Sequence, residues 1–157
     1  RRSSDLYSNA GATDKAIEFY EKAIEENPHD KHAYANLGST LLYKKPIQAK
    51  EYLQKALNID PEHDIALIEL GKIDKSEGNT VAAQVKFRKA YDLYLKQWKT
   101  NSLPKYAYGW FATVAEELGE NNFAKEIRTS APKTESEAYY NKENLSMTKT
   151  KALTNNN

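Results

Sequence analysis

The 157-residue sequence predicts an all-α fold built of repeated antiparallel helix pairs, and three observations carry that reading. The phrase "AIEFYEKAIEENP" at 16–28 returns as "AKEYLQKALNIDP" at 49–61, a step of 33 residues, and its pattern returns once more 34 residues on. Within these copies Ala16, Tyr20 and Ala23, then Ala49, Leu53 and Ala56, then Ala83, Phe87 and Ala90 stand four and three residues apart. Those intervals place each triplet on one face of an α-helix, which turns once every 3.6 residues. Finally, no stretch alternates apolar and polar residues over the length of a strand.

A second pattern precedes the later triplets and supplies the other helix of each pair. Tyr34, Leu37, Gly38 and Leu41 form it once, Leu67, Leu70 and Gly71 again, and Tyr108, Phe111, Ala112 and Ala115 a further time. Two helices approach closely only where side chains are small, so Gly38 with Ala49, Gly71 with Ala83 and Ala112 with Ala124 are expected to face each other. Turn residues fall between the predicted helices: "NAGATD", "KKPIQ", "SEGNT" and "LGENN" inside the pairs, "NPHD" and "DPEHD" between them. Asp30 and Asp64 precede helical patterns, where a carboxylate caps free amides and meets the positive end of the helix dipole.

With these residues in place the chain resembles the tetratricopeptide repeat family. The segment "AYANLGSTLLYKKPIQAKEYLQKALNIDP" carries the family's spaced features in order, with Tyr34, Leu37, Gly38, Leu41, Ala49, Leu53, Ala56 and the closing Pro61. The likeness extends from about residue 5 to about residue 131. It implies a right-handed α-solenoid of about 3.5 to 4 repeats, whose concave face holds peptides or partner proteins.

The departures from the family pattern shape the expected organisation. Counting back from Ala16 leaves no residues for the first aromatic, so 1–28 reads as a truncated repeat, and a chain that opens on Arg1 reads as a piece of a longer protein. Repeats at 29–61 and 62–99 follow; in the second of these Asp74 stands where the family places a large side chain, and no proline closes it. Ala83 and Ala124 lie 41 residues apart, seven beyond the 34-residue step. Seven residues are about two helical turns, or about 10 Å of added rod. One unbroken helix from about Thr80 to about Lys99 is therefore expected, with Leu95 and Trp98 of the extension packing on the next repeat or on a partner. The repeat at 104–131 is degenerate, with Arg128 in place of an aromatic or aliphatic residue. Thr134 and Glu137 have capping-box spacing, so a capping helix is expected over 132–145, and a polar, disordered tail over 146–157.

Charge and composition exclude several functions. Lys and Arg number 23 against 22 Asp and Glu, so there is no overall field to hold nucleic acid. No apolar run is long enough for membrane insertion, and none follows "RRSSD" as a signal peptide requires. The lack of cysteine fits a reducing cytoplasm and a periplasm equally well; a cytoplasmic location is the first expectation, and a periplasmic one the alternative if an N-terminal signal has been removed. His29, Asp30 and His32, like His63 and Asp64, fall in turns between repeats, where such residues cap helices, so no metal site is assigned. Glu25–Glu26 and Glu116–Glu117 are solvated helix faces rather than acid–base pairs. There is no nucleophile motif and no phosphate-cradling loop, so neither catalysis nor a cofactor is expected.

Of the 11 tyrosines, 4 phenylalanines and 2 tryptophans, Tyr20, Tyr34, Phe87, Tyr108 and Phe111 fall on the buried stripes and are expected in the core. The family resemblance builds the concave wall from the first helix of each repeat. It maps partner binding to His32, Ala35, Ser39, Leu42, Tyr43, Ile65, Ile68, Lys72, Tyr106 and Gly109. Leu42, Tyr43, Ile65 and Ile68, with Lys72 beside them, make an apolar patch suited to an extended or helical peptide. The subtype that grips the C-terminal carboxylate of heat-shock chaperones is not expected: Asn36 matches one of its positions, but Ile65 and Glu69 stand where it needs basic residues. The expected function is a scaffold that binds a protein or peptide as a monomer or weak homo-oligomer. The alternative is an assembly module that stacks on itself or on the rest of a longer chain.

Overall fold

A computed structural model describes residues 2–133, with side chains from residue 11 onward. Among the described residues the chain forms seven helices and no strand: α1 (Arg2–Glu26), α2 (Lys31–Leu41), α3 (Pro46–Ile59), α4 (Asp64–Ser76), α5 (Thr80–Lys99), α6 (Ala107–Glu117) and α7 (Asn121–Ser130). The fold is the all-α helical repeat that the periodicity predicts. It divides into two compact units, Arg1–Lys86 and Phe87–Asn157, with the division falling inside α5. The predicted capping helix and tail lie, from residue 134 on, outside the described residues.

In the first unit α1 packs on α2, α2 on α3 and α3 on α4, with α2 also reaching α4. The closest approach is at Gly38. A Cβ there would lie 2.6 Å from Leu53 Cγ and 3.0 Å from the Ala49 carbonyl oxygen, so only glycine lets α2 and α3 meet at this distance. Two apolar clusters grow on either side of this contact. Leu37, Leu41 and Ala49 pack with Ile17, Tyr20 and Ile24 of α1. Tyr34, Ala35, Leu53 and Ala56 pack with Ala66 and Leu70 of α4.

One predicted turn is absent. The "NAGATD" stretch at 9–14 is helical, and α1 runs through it for 25 residues without a break. Gly11 is the sole breaker there and meets nothing within 4 Å, while the neighbouring alanines favour helix. A single exposed glycine costs about 1 kcal/mol, too little to end a helix whose hydrogen bonds continue on both sides.

The turn between repeats is held by a polar joint. Asp30 caps α2, its Oδ1 accepting from the Ala33 amide at 3.0 Å. At α4 the cap is His63 rather than Asp64: the buried imidazole accepts from the Ala66 amide through Nδ1 at 3.4 Å. Asp64 instead begins the helix, its carboxylate 3.6 Å from the same nitrogen. Because Nδ1 is an acceptor, the His63 proton is on Nε2, which donates to His32 Nδ1 at 3.1 Å. Lys31 and Asp60 close the joint with a 2.8 Å ion pair that holds the Asp60 carboxyl below its ordinary range.

The Asp74 departure has a partner. Its carboxylate pairs with Lys86 of α5 at 2.5 Å, so an ion pair joins α4 to α5 where the family packs a large side chain. Helices α4, α5 and α6 end alike, with Gly78, Asn101 and Gly119 in the left-handed region at φ of 83°, 54° and 84°. At each end the next amide reaches back five residues, from Asn79 to Asp74, Ser102 to Gln97 and Glu120 to Ala115, all at 2.8 Å. This satisfies carbonyls that a frayed end leaves open.

In the second unit α6 packs on α7, and the residues of α5 from Phe87 onward add an aromatic core. Phe111 is its centre, with ring centroids 5.5 Å from Tyr91, 5.8 Å from Tyr94 and 5.6 Å from Phe123. The expected extension is present, and its Trp98 stands edge-on to Phe123 of α7 at 5.4 Å. Tyr91 donates to Glu120 at 2.5 Å, and burial, with that carboxylate, pushes its phenol up to about 12. Arg128 accounts for the degenerate position: it reaches Glu116 of α6 through both terminal nitrogens, at 2.9 and 3.3 Å.

Two predictions follow from this packing. Gly38→Ala should lower stability, because overpacking of about 1–3 kcal/mol exceeds the roughly 1 kcal/mol that alanine gains in helix propensity. Gly109→Ala, with open space around it, should gain about 0.5–1 kcal/mol. Urea unfolding of both variants checks this, and a Gly38→Ala protein as stable as wild type would refute the close approach. The second concerns acid. Burial, with smaller contributions from His32 and Lys31 against Asp64 and Asp60, lowers the His63 pKa below its ordinary 6.5. The unfolded chain therefore takes up the proton first, and His63's contribution is complete above pH 6.5 and lost as pH falls through the folded-state value. Glu69, raised by burial, titrates with the opposite sign, so the comparison is with His63→Asn, which retains a capping side chain. Stability measured from pH 7.5 to 5.5 should fall more steeply in wild type than in the variant.

Candidate partner-binding groove

A groove of about 990 Å³ opens in the first unit, at the side of α3. α3 presents Ile47, Lys50, Glu51, Gln54, Lys55 and Asn58 to it, a stripe at intervals of three and one that is one face of the helix. Lys72, Ile73, Ser76 and Glu77 at the end of α4 form the opposite wall. Leu42, Tyr43 and Pro46, from the turn that joins α2 to α3, close one end. Pro46 is the first residue of α3, where its missing amide costs no hydrogen bond. Tyr43 stands 95% exposed and Ile47 78% exposed, two large apolar side chains left in water in the same lining.

The charges along the groove are organised. Lys50 on α3 holds Glu77, the residue that follows α4, through both carboxylate oxygens, at 3.1 and 2.9 Å. Lys72 lies 3.9 Å from Glu69. Glu69 itself is buried, with Oε2 lacking a hydrogen bond among the described residues. Burial raises its pKa, opposed by Lys72 and by a hydrogen bond from Ser39. Lys55 is held differently, its ammonium 5.6 Å from the centre of the Tyr34 ring and 5.8 Å from that of Tyr52. The two rings stack at 6.1 Å with an interplanar angle of 29°.

Of the ten positions mapped from the sequence, Leu42, Tyr43 and Lys72 come together in this groove. Ala35 and Ile68 do not belong to any open surface: both are wholly buried. For Ile68 the reason is that α4 is covered around its whole circumference, with Ala66 through Gly71 buried in an unbroken run, so no side of it faces water there. Ser39 is half-buried and engaged with Glu69, Ile65 is half-buried outside the groove, and His32 is exposed and bonded to His63. Tyr106 and Gly109 are exposed in the second unit. Ile47, Lys50, Gln54 and Lys55 are absent from the mapped set, which took the wall from first helices alone. The signal for them was Ile47, an isoleucine off the Ala49–Leu53–Ala56 stripe and among charged residues on the outer face of the same helix.

Residues 2–30 and 32–63 match the family model for the tetratricopeptide repeat. A comparison with curated proteins returns no match. The second matched segment spans α2, α3 and the turn that ends in His63, which are the elements that build most of the groove. Repeats of this family mediate protein–protein interaction. Over these two segments the chain is similar to the tetratricopeptide repeat family, and its all-α helical architecture fits that likeness.

Proposed function

We propose that the chain is a protein-interaction module whose first unit takes a peptide or helix of a partner protein in the α3 groove, and that it performs no chemistry of its own. The observation that carries this reading is the exposure of Tyr43 and Ile47 together in a concave surface with a charged rim. Apolar side chains left in water inside a groove lose that cost when a partner covers them, and binding energy concentrates on such anchors. The absence of a nucleophile motif or phosphate loop from the sequence supports the non-catalytic part. This site shares three residues with the concave wall expected from the family and adds the outer face of α3.

The test is a random peptide library displayed on phage and panned on wild-type protein and on the Tyr43→Asp, Ile47→Asp double variant. Both positions are exposed, so the variant should melt within about 0.5 kcal/mol of wild type. Peptides selected on wild type should lose about tenfold or more in affinity for it, since a buried anchor is worth about 1–2 kcal/mol. A Val81→Ser, Val85→Ser variant, which alters exposed apolar residues of α5 outside the groove lining, should bind as wild type does. Peptides that bind the aspartate variant undiminished would place the interaction elsewhere.

A further inference from the structure

We infer that the partner segment carries an acidic side chain set about 12 Å from its apolar anchor, where it meets Lys55; this deepens the reading of the groove as a peptide site and rests on it. Three cations line the groove, and two are already engaged. Lys50 is neutralised by Glu77 at 2.9 Å, and Lys72 lies against the Glu69 carboxylate. Lys55 meets no carboxylate at salt-bridge distance among the described residues; its contacts are the faces of Tyr34 and Tyr52. A ring face attracts an ammonium without cancelling its charge, so the full positive charge remains available on the open side.

The rings also hold Lys55 in place. Tyr34 is buried in the core cluster and Tyr52 packs against that cluster, so the platform beneath the ammonium is rigid. A lysine already ordered over its platform gives up less rotamer freedom when a carboxylate arrives. The neighbours favour an acid at this end. Gln54 and Asn58, hydrogen-bonded to each other at 3.1 Å, flank Lys55 with neutral amides. Glu51 lies nearer the apolar end and repels a carboxylate from the middle of the groove.

Spacing turns this into a pattern. Ile47 and Lys55 are eight residues apart on α3, which at 1.5 Å per residue is about 12 Å. An extended peptide covers that span in about four residues, at roughly 3.3 Å each. The recognised feature is thus an apolar anchor with an aspartate or glutamate side chain at that remove.

The experiment counts residue types among phage-displayed random peptides whose binding depends on Tyr43 and Ile47, selected separately on wild type, Lys55→Gln, Lys55→Arg and Lys55→Glu. Melting of each variant is measured first, so that loss of fold is told apart from loss of recognition. Aspartate and glutamate should be enriched on wild type and Lys55→Arg, lose their enrichment on Lys55→Gln, and give way to lysine and arginine on Lys55→Glu. In a selected peptide, glutamate→glutamine at the enriched position should weaken binding to wild type about fivefold, and less at high salt. Groove-dependent peptides without acidic bias would overturn the inference and leave the groove reading intact. No groove-dependent peptide at all would overturn both. A dimer of wild type in light scattering that the Tyr43→Asp, Ile47→Asp variant lacks would overturn the inference by making the occupant a second copy of the chain.

Discussion

At Gly38 a missing side chain fixes how near α2 comes to α3, and the rest of the first unit is built out from that distance. Leu53 fills the space where a Cβ would stand, and the Ala49 carbonyl lies just behind it. With α2 seated there, Leu37 and Leu41 face α1 while Tyr34 and Ala35 reach the cluster shared with α4. The α3 face turned away from this contact is the one that lines the groove, so the same approach that closes the core determines which residues are left in water.

The helix pairs were legible because burial leaves a periodic trace: alanines at intervals of four and three can be counted without coordinates. Gly78 and Gly119 marked helix ends for a similar reason, since few residues accept the backbone they adopt. His63 was not legible as a cap. A histidine accepts from an amide only when neutral and correctly tautomeric, conditions set by burial and by His32, which lies 31 residues away in sequence. The α1 break was misread because residues such as Asn9 and Gly11 permit a turn without requiring one.

Polar substitutions at family positions likewise acquired meaning only in three dimensions. Asp74 and Arg128 look like decay of the repeat when read alone. Each is matched by an opposite charge on the other helix of its pair, Lys86 in one case and Glu116 in the other. The first of these pairs is largely shielded and the second about half-exposed, so the contribution of the second is small in water. Ile68 shows the converse: its place in the motif pointed to the wall, yet coverage of α4 on every side put it in the core.

The order of packing also has a kinetic side. Helices α1 to α4 each pack chiefly on the neighbour that precedes or follows them in the chain, and α6 packs on α7 in the same way; the α2–α4 contact skips a single helix. Loops that must close to form such contacts are short, so little chain entropy is lost before the first contacts are rewarded. Folding of this kind runs in microseconds to milliseconds, and among the described residues there is no strand to leave an edge unpaired. A chain assembled from such local steps recovers readily from transient opening of one helix pair, because the neighbouring pair remains as the surface on which it re-forms.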